Sequence, residues 1–557
     1  MKLRSLILVL CFASLPAWAA GPKKPPEAAI ASAHPLATAA GMQVLKEGGN
    51  AFDAAIAVSA ALAVVEPYSS GLGGGGYYLL HVAKDDHDVM VDGRETAPAA
   101  ASHDMYLDKS GDLKTSSVRR GALSAGIPGT PAALVDLSRY GRLSLAKDLA
   151  PAIALARDGF KVDKRFAAIT EETLGTLNQL CGEACPFLKD GHAPEAGALL
   201  KLPELAATLQ LLADKGAAGF YTGKVAKEMV DAVRAVGGIW SLDDLKDYKV
   251  VERAPLTGDY RGYHIITAAP SASGGVVLLE TLNILSGYDL DKMDEATRTH
   301  YIVEAWRRAY RDRNQYLGDP AFVKLPLARL LSPEYAAGLR AGISPDKATP
   351  SRLLPPVVKL KDDEGVDTTH FSIMDADGNM VAATQTINFR YGSGILGGKS
   401  GVILNDEMDD FAAKPGEANG FGLVQGEANA VAPGKRPLSS MTPTFVEGPR
   451  GVAIVGTPGG SRITTMVTLA VLDFVAGGSA AQMTALPRYH QQYLPDTVSY
   501  ETGAFSDATL KALTGMGYDL KPVARPYGDM NVVVWDFRTG KVEAATDPRD
   551  NDALVDF

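Results

Sequence analysis

The residues from Val366 to Ile387 read as a β-hairpin, and this commits the middle of the chain to a sheet. Val366 to Met374 is rich in β-branched and aromatic residues, and Asp375-Ala376-Asp377-Gly378-Asn379 supplies the turn. Met380 to Ile387 forms the return strand. At the head of the hairpin stands Asp367-Thr368-Thr369-His370-Phe371-Ser372, and at its end Thr386-Ile387-Asn388. On spacing alone, two adjacent threonines opening a strand express β-propensity and nothing more.

Around the hairpin, helical spacing dominates the first half of the chain and strand spacing the second. Asn50-Ala51-Phe52-Asp53 starts a helix running to about Glu66, with Asn50 as N-cap after the Gly48-Gly49 break. Further helices are expected near 128–140, 144–157, 203–215, 224–236 and 295–316, with short strands at 77–83, 88–93 and 262–268. In the second half, strands are expected at 368–375, 380–387, 401–404, 452–456, 530–537 and 541–546. One long helix, Ser461 to Ala476, follows Gly459-Gly460. The stretch 340–367 is Pro-rich and then acidic, which predicts an exposed segment. Helices and strands mixed through both halves point to layered α/β packing.

The 557 residues can bury a large core, and their 46% hydrophobic and 22% charged content is that of an ordinary globular protein. A net charge of −10, with no basic block, argues against nucleic acid as partner. Residues 1–20 read as an export signal: Lys2 and Arg4 are its charged start, Leu6 to Leu15 its apolar core, and Ala17-Trp18-Ala19 its cleavage site. An apolar run of about ten residues is too short for a membrane span, and no later run is long enough. The expected location is outside the cytoplasm, in a bacterial periplasm or secreted. Cys11 leaves with the signal, so Cys181 and Cys185 remain. With no second pair and no histidines at ligand spacing, zinc is not indicated. In an oxidising compartment the two form a local disulfide; a buried pair of free thiols is the alternative.

Several further stretches each have a bland reading. Asn405-Asp406-Glu407-Met408-Asp409-Asp410-Phe411 is a solvated acidic run, and Lys435-Arg436-Pro437-Leu438-Ser439-Ser440-Met441 a turn. Thr457-Pro458-Gly459-Gly460-Ser461-Arg462 is a tight turn between strand and helix, without the Gly-Lys-Ser/Thr ending of a phosphate loop. Arg94, in Asp92-Gly93-Arg94-Glu95-Thr96-Ala97-Pro98, is a loop arginine, and Gly71-Leu72-Gly73-Gly74-Gly75-Gly76 a buried turn leading into a strand. Taken together and in order, with Thr-Thr-His-Phe-Ser among them, these stretches resemble γ-glutamyltransferases from about Ala29 to the C-terminus.

That resemblance implies the N-terminal-nucleophile hydrolase fold, a four-layer αββα sandwich, and a chain made as a zymogen. Thr368 attacks the Asp367 carbonyl, an ester replaces the amide, and water releases Thr368 as a new N-terminus. Its α-amine, with an ordinary pKa of about 7.7–8.0, then serves as the base that a weakly nucleophilic hydroxyl needs. The products are a large subunit, 21–367, and a small catalytic one, 368–557, sharing one globular unit. By the same resemblance Thr386 hydrogen-bonds the nucleophile, with Thr369 supporting the region and His370 structural, and the Gly459 and Gly460 amides form an oxyanion hole. Arg94, Ser439 and Ser440 hold the substrate α-carboxylate, while Asn388, Glu407 and Asp410 hold its α-ammonium group. Lys414 to Gly422 resembles a lid loop, with Phe421 where relatives often carry tyrosine; the aromatic could equally be an ordinary anchor.

The implied activity is transfer of the γ-glutamyl group of glutathione and related compounds to water, amino acids or peptides, through an ester on Thr368. No metal or cofactor is implied. Two alternatives stand beside it: a cephalosporin-type (glutaryl) acylase on the same scaffold, and an exported amino-acid binding protein without catalysis.

Overall fold

The computed structural model describes residues 24–182, 185–354 and 368–549. The signal segment, Asp367 and the stretch 355–367 lie outside those residues. The two main sheets draw six strands from before Thr368: Ala29–Ser32 (β1), Gly75–Val82 (β2), His87–Gly93 (β3), Val251–Arg253 (β4), Leu256–Tyr260 (β5) and Tyr263–Thr267 (β6). The same two sheets draw six from after it: Thr369–Met374 (β7), Met380–Thr386 (β8), Thr444–Gly448 (β9), Gly451–Gly456 (β10), Asn531–Asp536 (β11) and Val542–Thr546 (β12). They form two six-stranded sheets, ordered β1-β7-β8-β2-β3-β4 and β12-β11-β10-β9-β6-β5. Both sheets are antiparallel throughout, and each draws on strands from both sides of Thr368.

The hairpin forms as expected, with Val381 opposite Ile373 and Gln385 opposite Thr369. Its turn is tied by Asp375, whose carboxylate accepts the amides of Asp377 and Asn379 at 2.9 and 3.0 Å. The same carboxylate accepts the Ala51 amide at 2.9 Å, linking the turn to the helix Ala51–Val65.

Alternation along the strands sorts side chains between two cores. Tyr78, Leu80, Phe371, Ile373, Val381 and Ala383 face the helices Pro35–Lys46 (α1), Ala51–Val65 (α2) and Leu145–Asp158 (α3). Tyr77, Leu79, Met374 and Ala382 face the second sheet, packing with Ile454, Val455, Val532 and Val533. The outer face of that sheet is covered by Gly274–Leu285 (α4) and Ile463–Ala476 (α6), with Glu295–Tyr316 (α5) packed against α4. The layers run helix, sheet, sheet, helix, which is the αββα sandwich.

Every residue of α2 is buried, so its stability comes from packing all round and from its cap. The Asn50 side chain accepts the amides of Phe52 and Asp53 at 3.0 and 3.1 Å, and Asp53 accepts the Asn50 amide at 2.7 Å. One expectation fails. Residues 401–404 form no strand and make only isolated bridges, Ile403 to Leu396 and Leu404 to Gly73, because they thread between loops with no neighbouring strand edge. Residues 340–354 run mostly at the surface, with Ser351 buried. A disulfide joins Cys181 to Cys185, with Cα atoms 5.2 Å apart.

Candidate active site

Thr368 immediately precedes β7, and Thr386 ends β8, so the hairpin register brings the two side by side. Their hydroxyl oxygens are 3.2 Å apart and both residues are buried. The Asn388 amide donates to the Thr386 hydroxyl at 2.8 Å and fixes its position. Asn388 turns there with φ of 76°. Its side-chain N–H donates to the Asp406 carbonyl at 3.0 Å, which turns its amide oxygen the other way. Thr369, on the opposite face of the strand, donates to Glu66 at 3.1 Å.

His370 is a framework residue. Its ring meets the Thr384 and Ser372 hydroxyls at 2.8 and 3.1 Å, and burial pulls its pKa down to about 3, so it stays neutral. The glycine run packs against the same end of the hairpin. Gly75 pairs with Thr386, and a Cβ on Gly74 would strike the Thr386 carbonyl.

A pocket of about 260 Å³ opens at this threonine pair. Asn388, Glu407, Asp410, Ser439, Ser440 and Gly460 line it along with Thr368 and Thr386. Phe421, Met441 and Ile463 supply its apolar wall. Gly459 and Gly460 occupy the turn between β10 and α6 with φ of 138° and 56°, backbone that favours glycine. No described residue accepts the amide hydrogen of either.

Arg94, on the segment leaving β3, is fully buried and does not line the pocket. Its two terminal nitrogens donate to Glu407 and Asp410, and its Nε donates to the Pro437 carbonyl at 3.1 Å. Three residues apart on the short turn Glu407–Asp410, those carboxylates receive the planar guanidinium as a fork. Burial pushes Glu407 well above the usual carboxylate range and raises Asp410, with Arg94 opposing both. Burial likewise pushes the neighbouring Glu95 up to about 8.

Ser439 and Ser440 are held by the strand-like contact of Ser439 with Ala272. The Ser439 hydroxyl accepts the Met441 amide at 3.2 Å, and the Ser440 hydroxyl accepts from Arg313 of α5 at 3.2 Å. Sequence reasoning missed Arg313; its only signal was an arginine on the inner face of an otherwise well-patterned helix. The segment 414–422 closes one side of the pocket. Phe421 stacks on Phe389 with centroids 4.9 Å apart, and a Cβ on Gly460 would run into its ring. The Gly420 amide donates to Asp409 at 2.8 Å, and the Phe421 carbonyl accepts from Gln492 at 3.0 Å. Among the described residues no cluster of His, Cys, Asp and Glu could hold a metal ion, and no helix is long and apolar enough to cross a membrane.

The family model for gamma-glutamyltranspeptidase matches residues 37–557. The chain belongs to the γ-glutamyltranspeptidase family. A glutathione hydrolase proenzyme from Pseudomonas sp. (strain A14) is 44% identical over 494 residues, which are 88% of this chain and 85% of that one. The glutathione hydrolase proenzyme of Escherichia coli (strain K12) is 41% identical over 541 residues, 96% of this chain and 92% of its own. Among solved structures, the cephalosporin acylase from Bacillus halodurans superposes with a TM-score of 0.81 at 26% identity, covering 98% of both chains. This γ-glutamyltranspeptidase-family chain thus shares its scaffold with that acylase, while the two glutathione hydrolase proenzymes are more similar to it in sequence than that acylase is.

Proposed function

We propose that this chain is a self-cleaving γ-glutamyltransferase that hydrolyses glutathione and passes the γ-glutamyl group to water, amino acids or peptides through an ester on Thr368. The observation that carries the reading is the Thr368–Thr386 pair, 3.2 Å apart, at a pocket lined also by acidic and serine side chains. In maturation the Thr368 hydroxyl oxygen bonds to the Asp367 carbonyl carbon, the Asp367–Thr368 amide breaks, and water hydrolyses the resulting ester. The products are the subunits 21–367 and 368–557, the first preceded by the export signal 1–20 that directs the enzyme to the periplasm or beyond.

In turnover the freed Thr368 amine takes the hydroxyl proton as the oxygen attacks the substrate γ-carbonyl carbon. The Thr386 hydroxyl holds the nucleophile in line. The unpartnered amides of Gly459 and Gly460 receive the oxyanion, a role whose loss costs about 3–4 kcal/mol in other enzymes. The amine of the leaving dipeptide takes the proton as the amide breaks; water or an acceptor amine then attacks the ester and restores the threonine.

Recognition of the head group is an exchange of ion pairs. In the structure Glu407 and Asp410 share Arg94. An arriving α-ammonium group takes over the carboxylates, with the Asn388 amide oxygen, and the released guanidinium meets the α-carboxylate beside Ser439 and Ser440. Charge is conserved in the buried space, so the exchange avoids leaving a lone ion. This amino-acid reader is what favours a γ-glutamyl substrate over the glutaryl side chain of an acylase substrate. The test is turnover by the purified, processed protein: release of glutamate from glutathione, with a glutaryl amide of the same leaving group hydrolysed far more slowly.

A further inference from the structure

Arg313 is a buried cation that makes no ion pair with any described residue. It stands on α5, 2% exposed, and donates to the Ser273 hydroxyl at 3.0 Å, the Asn314 and Gln425 side-chain oxygens at 3.0 and 3.2 Å, and the Ser440 hydroxyl at 3.2 Å. All four acceptors are neutral. The other buried arginines among the described residues, Arg94, Arg307, Arg308, Arg436 and Arg488, each have a carboxylate within ion-pairing distance. Burial lowers the Arg313 pKa to about 10, with Tyr310 and then Asp410 opposing, so the group remains charged at neutral pH. A desolvated cation with neutral partners alone is costly, and the cost is met when an anion arrives.

The hydrogen-bond inventory of Ser440 gives the direction from which it arrives. A guanidinium only donates, so the Ser440 oxygen accepts from Arg313 and its own proton must point elsewhere. No described residue accepts that proton, and Ser440 lines the pocket. Ser439 is arranged alike, its oxygen accepting the Met441 amide. Two hydroxyl protons are therefore free for an acceptor in the pocket, and a positive charge lies directly behind one of them.

We propose that Arg313 is a positioning residue for the substrate α-carboxylate: it holds Ser440 with its proton toward the pocket and supplies, one hydrogen bond removed, the counter-charge for the carboxylate that Ser440 receives. The inference rests on the reading of Ser439 and Ser440 as carboxylate ligands. It gives the site two cations for the head group, Arg94 beside the acidic pair and Arg313 behind the serines.

The test compares γ-L-glutamyl-4-nitroanilide with 4-aminobutyryl-4-nitroanilide, which keeps the ammonium group and the scissile amide and lacks only the α-carboxylate. The ratio of their kcat/KM values on one enzyme preparation is independent of how much of it is folded. Arg313→Gln should lower that ratio about tenfold or more, the scale of a hydrogen bond to a charged group, with the change mainly in KM for the glutamyl substrate. Arg313→Lys, which keeps the charge without the fork, should restore part of it. In a Ser440→Ala background Arg313→Gln should change the ratio much less, because the intermediary is gone. Equal loss on both substrates, with the wild-type ratio retained, assigns Arg313 a structural role and overturns the proposal. If Arg313→Gln yields no processed enzyme, the Arg313→Lys ratio decides in the same way. A wild-type ratio in both Ser439→Ala and Ser440→Ala would instead sink the reading of the site itself.

Discussion

Arg94 and Asp410 are joined across the proposed cleavage point: the arginine belongs to the segment leaving β3, the aspartate to the turn Glu407–Asp410, and both are buried. Removing Arg94 strips two buried carboxylates of their guanidinium, and removing Asp410 takes away one of the two carboxylates that fork Arg94; breaking a desolvated pair costs about 2–5 kcal/mol. Arg94→Ala and Asp410→Asn should therefore lower kcat/KM for glutathione strongly, mostly through KM, because head-group binding is shared by ground and transition states. Both precursors should still cleave themselves, since that step uses no free substrate. Steady-state kinetics on the processed variants checks this; near-wild-type kcat and KM in either contradicts the head-group assignment.

The contact between Gly460 and the Phe421 ring leads to a second expectation. Alanine at position 460 would sit at φ near 56° and overlap the ring, shifting an amide assigned to the oxyanion. Loss of one such donor costs about 10²–10³ in kcat, and Gly460→Ala should fall in that range. Adding Phe421→Ala removes the overlap and should recover part of kcat. Equal kcat in the single and double variants would show that the ring does not constrain the turn.

Much of this was legible in sequence where local pattern and packing agree. The helix Glu295–Tyr316 has the expected bounds because its N-cap, Asp294, and its apolar period point the same way. The helix Gly274–Leu285 went unread, since it is apolar nearly all round and opens on two glycines, so neither periodicity nor a cap marks it. Pro35–Lys46 was missed for another reason: His34 caps it through a ring nitrogen, an uncommon signal. The pocket residues could be named from motifs, and the structure brings Thr368, Thr386, Asn388, Glu407, Asp410, Ser439, Ser440 and Gly460 to one cavity. What the motifs could not convey is that Arg94 is engaged by Glu407 and Asp410, or that Arg313 stands behind Ser440. Those are long-range pairings between segments that no local spacing encodes.

Asp148 gives a prediction about stability. Burial, with the Asp53 carboxylate beside it, pushes its pKa up to about 8. The unfolded chain releases that proton near pH 4, so between about 4 and 8 the native state binds the extra proton and stability falls as pH rises. Asp148→Asn removes this penalty. Melting temperatures should show the variant ahead of wild type at pH 8, with the gap closing toward pH 5. A gap independent of pH, or a variant less stable throughout, contradicts the assignment.

The nucleophile itself is tested most directly by intact-mass measurement of the purified protein beside its Thr368→Ala variant, with glutathione turnover read on the same samples. Wild type should appear as two pieces, the smaller beginning at Thr368 and running to Phe557, and should release glutamate. The variant should remain one chain of native fold with no turnover. A wild-type protein that is fully active as a single uncut chain, or a Thr368→Ala variant that is cut and active, would contradict the N-terminal threonine account.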